Sequence, residues 1–118
     1  MTDKMIRVLQ VMDKCAIRGS PIHGVSRLLL TWWPAFEAAG FCFSLCVLRG
    51  GGGTCKAFSE IGVDVHDLSR HKVDPRTVLD IIRLVRQLDI DVLHCHGYGA
   101  TTFGRLAGKL CGVPVIVQ

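Results

Sequence analysis

Asp91-Val92-Leu93-His94-Cys95-His96-Gly97-Tyr98-Gly99 sets a short apolar strand directly against two imidazoles and two glycines, and a helical pattern follows from Ala100 to Cys111. Polar and flexible residues at the C-terminal end of a buried strand mark the ligand end of an open α/β sheet. Side chains alternate along a strand, so His94 and His96 share one face and Cys95 takes the other. His96, at the strand tip, is the candidate for contact with a ligand hydroxyl or phosphate. His94 is expected to be a hydrogen-bonded core histidine.

Working outward, Ile6 to Met12 reads as a first strand that ends at Asp13, followed by a loop containing Gly19, Ser20, Pro21 and His23-Gly24. From Val25 to Phe36 apolar residues recur at helical spacing, with Gly40 as the expected C-cap and Pro34 expected to kink or split the helix. Trp32 and Trp33 are adjacent, so one of them must leave the core face. Phe41 to Leu48 is a second strand, Arg49 and Gly50 to Gly53 a mobile loop, Thr54 to Ile61 a short helix and Val63 to Leu68 a third strand. Asp74-Pro75 predicts a helix start with Asp74 as N-cap, and Val78, Ile81, Ile82, Val85 and Leu88 line one face of that helix. Gly104, Ala107 and Gly108 would let the Ala100 to Cys111 helix approach the sheet closely. Val113 to Val117 is the fifth strand.

Strands that alternate with helices imply right-handed βαβ crossovers and a parallel sheet. The expected fold is α/β, a Rossmann-like open sheet of about five strands in the order 3-2-1-4-5, with helices on both faces. In that order the sheet reverses direction between strands 1 and 4. The Asp13 to Gly24 loop and the Gly97 to Gly99 loop then face one crevice, and both lead into helix N-termini, which attract phosphate or carboxylate oxygens.

The chain has 118 residues, enough for one domain with a core, and 49% hydrophobic against 20% charged residues places it among globular α/β domains. A mean hydropathy of +0.36 implies strands buried on both faces or an apolar surface covered by something beyond these residues. The net charge of +4 is a mild bias towards anionic partners, a membrane surface among them. No zinc-finger spacing, aromatic RNA-binding strand or basic helix points to nucleic acid. Six cysteines, most among apolar neighbours, read as reduced core residues and point to the cytoplasm. No segment has the pattern of a signal peptide or a membrane span.

Several cofactor motifs fail. Gly97-Tyr98-Gly99 with Gly104 has the wrong spacing and the wrong strand for G-x-G-x-x-G, so no nicotinamide or flavin is expected. Gly50 to Lys56 lacks the G-K-[ST] of a P-loop. Asp89-Ile90-Asp91 has the form of a metal-binding D-x-D but precedes strand 4, at the edge of the sheet away from the crevice, and reads as a solvated turn. His94 and His96 with a cysteine lack any metal-ligand spacing, so no metal is expected.

The ordered set of features resembles the N-terminal, acceptor-side domain of glycosyltransferase family 4, which has the GT-B fold. The features are His23-Gly24-Val25-Ser26-Arg27 opening the first helix, Ala38-Ala39-Gly40-Phe41 before strand 2, and Gly62-Val63-Asp64-Val65 at strand 3. They continue with Asp91 to His96 as D-V-[VL]-H-x-H and Gly112 to Val117 as G-V-P-V-I-V. The resemblance departs at His23, where a glycine is usual, and at Ser26, where an acidic residue is common.

The resemblance implies one half of a GT-B architecture, a partial N-terminal domain over residues 1–118, with the C-terminal donor-binding domain absent. It implies transfer of a sugar, with retention of configuration and no required metal, from a nucleotide diphosphate donor to a saccharide or lipid-linked acceptor. Polysaccharide or glycolipid synthesis at the cytoplasmic face of a membrane is the default context. Gly19, Ser20, His23 and Gly24 form the candidate donor-phosphate or acceptor loop, and His96, Gly97, Tyr98 and Gly99 the candidate acceptor-binding set. The family's reaction histidine commonly follows strand 5, so the catalytic residues are unassigned and the chain alone is expected to be inactive. The competing expectation is a non-enzymatic, flavodoxin-like module that holds a small anionic ligand or a protein partner in the same crevice.

Overall fold

A computed structural model describes residues 5–13, 24–48, 56–60, 62–68 and 74–117. The elements in chain order are β1 (Ile6–Met12), α1 (Gly24–Ala38), β2 (Phe41–Val47), α2 (Lys56–Glu60), β3 (Asp64–Asp67), α3 (Arg76–Leu88), β4 (Val92–His96), α4 (Tyr98–Cys111) and β5 (Val115–Val117). The strands form one sheet in the order β3-β2-β1-β4-β5, and every pairing is parallel. This is the expected Rossmann-like topology, with β1 at its centre between β2 and β4.

β1 occupies that position because branched and long apolar residues fill it and five consecutive positions, Val8 to Met12, are buried. Alternation sends Leu9 and Val11 to one face and Val8 and Met12 to the other, and the core divides accordingly. Leu9, Val11, Cys46, Leu93 and Cys95 pack with Val78, Ile81 and Val85 of α3 and with Ala100 and Ala107 of α4. On the opposite face, Val8, Met12, Phe43, Leu45 and Val47 pack with Leu29 and Trp33 of α1 and Phe58 of α2. Right-handed crossovers explain this division: connections from β1 towards β3 lie on one face, and those leading to β4 and β5 lie on the other.

The tryptophan pair splits as its spacing requires. Trp33 is 1% exposed and meets Phe43 and Phe58 edge to face at 4.9 and 5.6 Å, whereas Trp32 is 50% exposed. The kink or split expected at Pro34 does not divide the element: α1 runs through it from Gly24 to Ala38. A proline removes one N–H donor, but here it lies on an exposed face, and burial of Leu29 and Trp33 holds the turns on either side.

α3 is assigned from Arg76, with Pro75 already in the helical region. The Asp74 carboxylate accepts the Arg76 N–H at 2.9 Å and pairs with its guanidinium at 2.8 Å, which is the capping role its position predicts. At the other end, Arg7 N–H donates to Asp91 Oδ2 at 3.0 Å, Asp91 N–H donates to the Arg7 carbonyl at 2.8 Å, and the Arg7 side chain reaches the Leu88 carbonyl at 3.2 Å. Asp89-Ile90-Asp91 is thus a structural turn at the N-terminal edge of the sheet, with Ile90 buried. The elements differ from the sequence reading mainly at their ends, where α4 starts earlier, at Tyr98, and β5 starts later, at Val115. The Gly50 to Gly53 loop lies outside the described residues.

α4 lies against β4 because small residues allow it. A Cβ built at Gly104 would collide with Cys95 Sγ, and one at Gly108 would come within 2.7 Å of Ile116 Cδ1. Alanine gains about 1 kcal/mol over glycine in a helix interior, whereas overpacking a closed contact costs about 1–3 kcal/mol. Gly104→Ala is therefore expected to destabilise the domain by about 1 kcal/mol. Urea unfolding that showed G104A to be more stable than the parent would contradict the close packing.

Candidate functional site

β1 and β4 are neighbours that run in parallel, so their C-terminal ends open on the same mouth, at the point where the strand order reverses. Gln10 lies opposite His94 and Met12 opposite His96. Two contacts tie these strand ends together. His96 Nε2 lies 2.6 Å from Gln10 Oε1, and the Gly99 N–H donates to Asp13 Oδ2 at 3.1 Å.

The Gln10 side chain is only 2% exposed. Its carbonyl oxygen needs a donor, which fixes the proton of His96 on Nε2 and leaves Nδ1 as the acceptor nitrogen of a neutral ring. His94 and His96 have ring centroids 4.0 Å apart. Burial lowers the pKa of both imidazoles, that of His96 to about 4, with His94 as a smaller contributor through like-charge repulsion. Both are neutral at pH 7. The hydrogen bond expected at His94 is found at His96. His96 carries the buried hydrogen bond, whereas His94 is half-buried, lines a surface groove and has no hydrogen-bond partner among the described residues.

Asp13 adds a contact that the sequence reading does not contain. At the N-terminus of α4 the chain's own carboxylate accepts from one of the first-turn donors, the Gly99 N–H. Gly97 and Gly99 make this possible. Gly97 turns the chain from strand to helix at φ 92°, a conformation L side chains rarely adopt, and a Cβ at Gly99 would overlap Asp13 Oδ1. Of the candidate residues, the structure brings His96, Gly97 and Gly99 together at the mouth and starts α4 at Tyr98. Gly24 opens α1, and Gly19, Ser20 and His23 lie outside the described residues. The sequence pattern does not single out Gln10 or Asp13 as site residues. A glutamine within an otherwise apolar strand is the signal for the first, since a buried amide requires a partner.

Among the described residues, no group of three or more His, Cys, Asp or Glu is arranged to hold a metal ion. The Cys95 thiol faces the α3–α4 side, and burial pushes its pKa up to about 11, so it carries no nucleophilic role here.

A groove of about 370 Å³ extends from the histidine pair along the α1 side of the sheet, lined by Val8, Gln10, Phe41, Phe43, Val92, His94, His96 and Val117 below and by Leu29, Trp32 and Phe36 of α1 at its wall. Its volume is that of a small-molecule site.

The family model described as Glycosyltransferase Family 4 matches residues 22–118. The chain belongs to glycosyltransferase family 4. Among solved structures, the fold is similar to a glycosyltransferase from Rickettsia africae ESF-5, with a TM-score of 0.72 and 14% identity over 95% of this chain and 28% of that one. It is also similar to MurG from Acinetobacter baumannii, with a TM-score of 0.65 and 17% identity over 94% of this chain and 34% of that one. The conserved protein TT1542 from Thermus thermophilus follows at 0.61 and 18%, over 94% of this chain and 60% of that one. At these identities the likeness establishes the fold, and the chain spans about a third or less of the first two structures. No curated protein matches the chain.

Two outcomes follow for this glycosyltransferase domain. A histidine whose folded pKa is depressed binds its proton more readily when unfolded, so stability is full above about pH 6.5 and falls as pH drops towards 4. NMR titration of the ring nitrogens is expected to keep His96 neutral down to about pH 4, and titration near 6.5 would contradict its burial on Gln10. Gly99→Ala, which drives a methyl group into the Asp13 carboxylate, is expected to destabilise the fold by about 1–3 kcal/mol in denaturant unfolding, with G97A strained independently by its positive φ.

Proposed function

We propose that the chain is the acceptor-side, N-terminal domain of a retaining glycosyltransferase, which moves a sugar from a nucleotide diphosphate donor to a saccharide or lipid-linked acceptor. The observation that carries the reading is the meeting of Asp13, His96, Gly97 and Gly99 at the C-terminal ends of β1 and β4 in a chain of this family. That mouth is uncharged at both imidazoles, and its Asp13 carboxylate is engaged with backbone N–H. Such a surface suits hydroxyl groups better than phosphates. A sugar hydroxyl can donate to the neutral His96 ring, whose tautomer Gln10 holds, so that the acceptor is oriented without a change of charge.

The donor phosphates then belong to the Gly19, Ser20, His23 and Gly24 loop and to a second, donor-binding domain, which places catalysis at the junction of the two domains. In this reading no metal or resident cofactor is required, and the nucleotide sugar is a co-substrate. No described helix is long and apolar enough to cross a membrane; contact with a lipid-linked acceptor is peripheral, at the cytoplasmic face. The module reading, with a small anion held at the mouth, is opposed by the Asp13 carboxylate at the α4 N-terminus.

The test uses the enzyme with its donor domain present. His96→Ala removes one hydrogen bond to the acceptor, so it is expected to raise the acceptor KM about tenfold and to leave the donor KM unchanged. A rise in the donor KM alone would move His96 out of the acceptor site. The isolated 118-residue chain, incubated with labelled nucleotide sugars, is expected to show no transfer.

A further inference from the structure

The charge of this chain is unevenly divided between its layers. Of 14 basic and 10 acidic residues, α3 and α4 hold five basic and one acidic, which leaves nine of each elsewhere and puts the whole excess of +4 on these two helices. The two helices lie side by side on one face of the sheet. Asp74 holds Arg76 at the start of α3, whereas Arg83, Arg86, Arg105 and Lys109 are exposed to solvent. Asp80, the single acid of the two helices, is half-buried.

Leucines lie among these cations. Leu79 is 62%, Leu106 51% and Leu110 64% exposed, and a shallow groove along α3 sets Leu79 and Ile82 beside Arg83 and Arg86. Scattered exposed leucines need no explanation, but three of them on the layer that carries the charge excess mark a docking surface. The combination selects the occupant. Cations gathered on one face attract an anionic partner. A nucleic acid backbone would pair with the cations and leave the leucines in water. An anionic bilayer takes both: lipid phosphates meet the guanidinium and ammonium heads, while the leucines and the aliphatic stems of Arg and Lys enter the interfacial zone. We infer that the outer face of α3 and α4 docks on an anionic lipid bilayer. The inference rests on the peripheral-contact reading above, to which it assigns a surface, and it needs no property of the histidine mouth.

The experiment sediments the 118-residue chain with vesicles of phosphatidylcholine alone and of equal parts phosphatidylcholine and phosphatidylglycerol. Binding to the mixed vesicles is expected to be at least about twentyfold tighter and to weaken as salt is raised. Each Lys or Arg near an anionic surface strengthens binding about fivefold, so Arg83→Gln with Arg86→Gln is expected to weaken it about twentyfold. Lys56→Gln on α2, in the layer across the sheet, is expected to change it less than about twofold. Leu106→Asn with Leu110→Asn is expected to weaken it about tenfold. The substituted arginines and leucines are exposed, so folding is not at risk, and circular dichroism checks each variant against the parent. Equal binding to both vesicle types, no binding to either, or binding that survives loss of the arginine pair would overturn the inference. Equally tight binding of duplex DNA with no effect of the leucine pair would also overturn it, because the face would then accept any polyanion. The vesicles carry neither sugar acceptor nor nucleotide sugar, so a failure here is separate from a failure of the transfer assay.

Discussion

β1 is bound to β4 by more than its ladder. At its C-terminal end Gln10 and Asp13, the two polar side chains a buried central strand could least tolerate unpaired, both find their partners on the β4–α4 turn 86 residues later. A buried amide such as that of Gln10 would cost about 1–3 kcal/mol if left without a partner. With partners, each becomes a constraint on geometry. Gln10 sets the tautomer of His96, and Asp13 holds the first turn of α4 against the tip of β1. The tautomer of His96 and the seating of the first turn of α4 against β1 follow from these two bonds.

The same arrangement explains why a helix N-terminus at a switch point need not be a phosphate site. The general expectation holds that such a terminus attracts an anion. Here one anion is Asp13, and the glycines at 97 and 99 leave room for its approach. What remains exposed at β4 is a pair of neutral rings above an apolar floor, a surface suited to hydroxyl groups and hydrocarbon. Within glycosyltransferase family 4, that chemistry fits an acceptor better than a donor.

The architecture was legible in the sequence because period-two and helical patterns alternate cleanly, and because parallel strands buried on both faces leave little ambiguity in an apolar run such as Ile6 to Met12. The crevice followed from topology alone. Element ends were less legible: nothing in Tyr98-Gly99 signals that α4 has already begun, because the capping group is supplied by Asp13 from across the sheet. The placement of the hydrogen bond on His96 rather than His94 has the same origin. Both project to one face and line the groove, and only the placement of Gln10 beside them decides which ring is bonded. Local pattern cannot carry that information, whereas a buried glutamine in β1 at least announces that some partner exists.

The coupling of β1 to the turn after β4 is tested most directly by amide hydrogen exchange at Gly99. Its N–H lies in the first turn of α4, where a helix has no internal acceptor to offer, and among the described residues its acceptor is Asp13. The Gly99 amide is expected to exchange as slowly as the ladder amides of β4, and Asp13→Ala to accelerate it while the β4 core amides stay protected. Free exchange of Gly99 in the parent protein would contradict it.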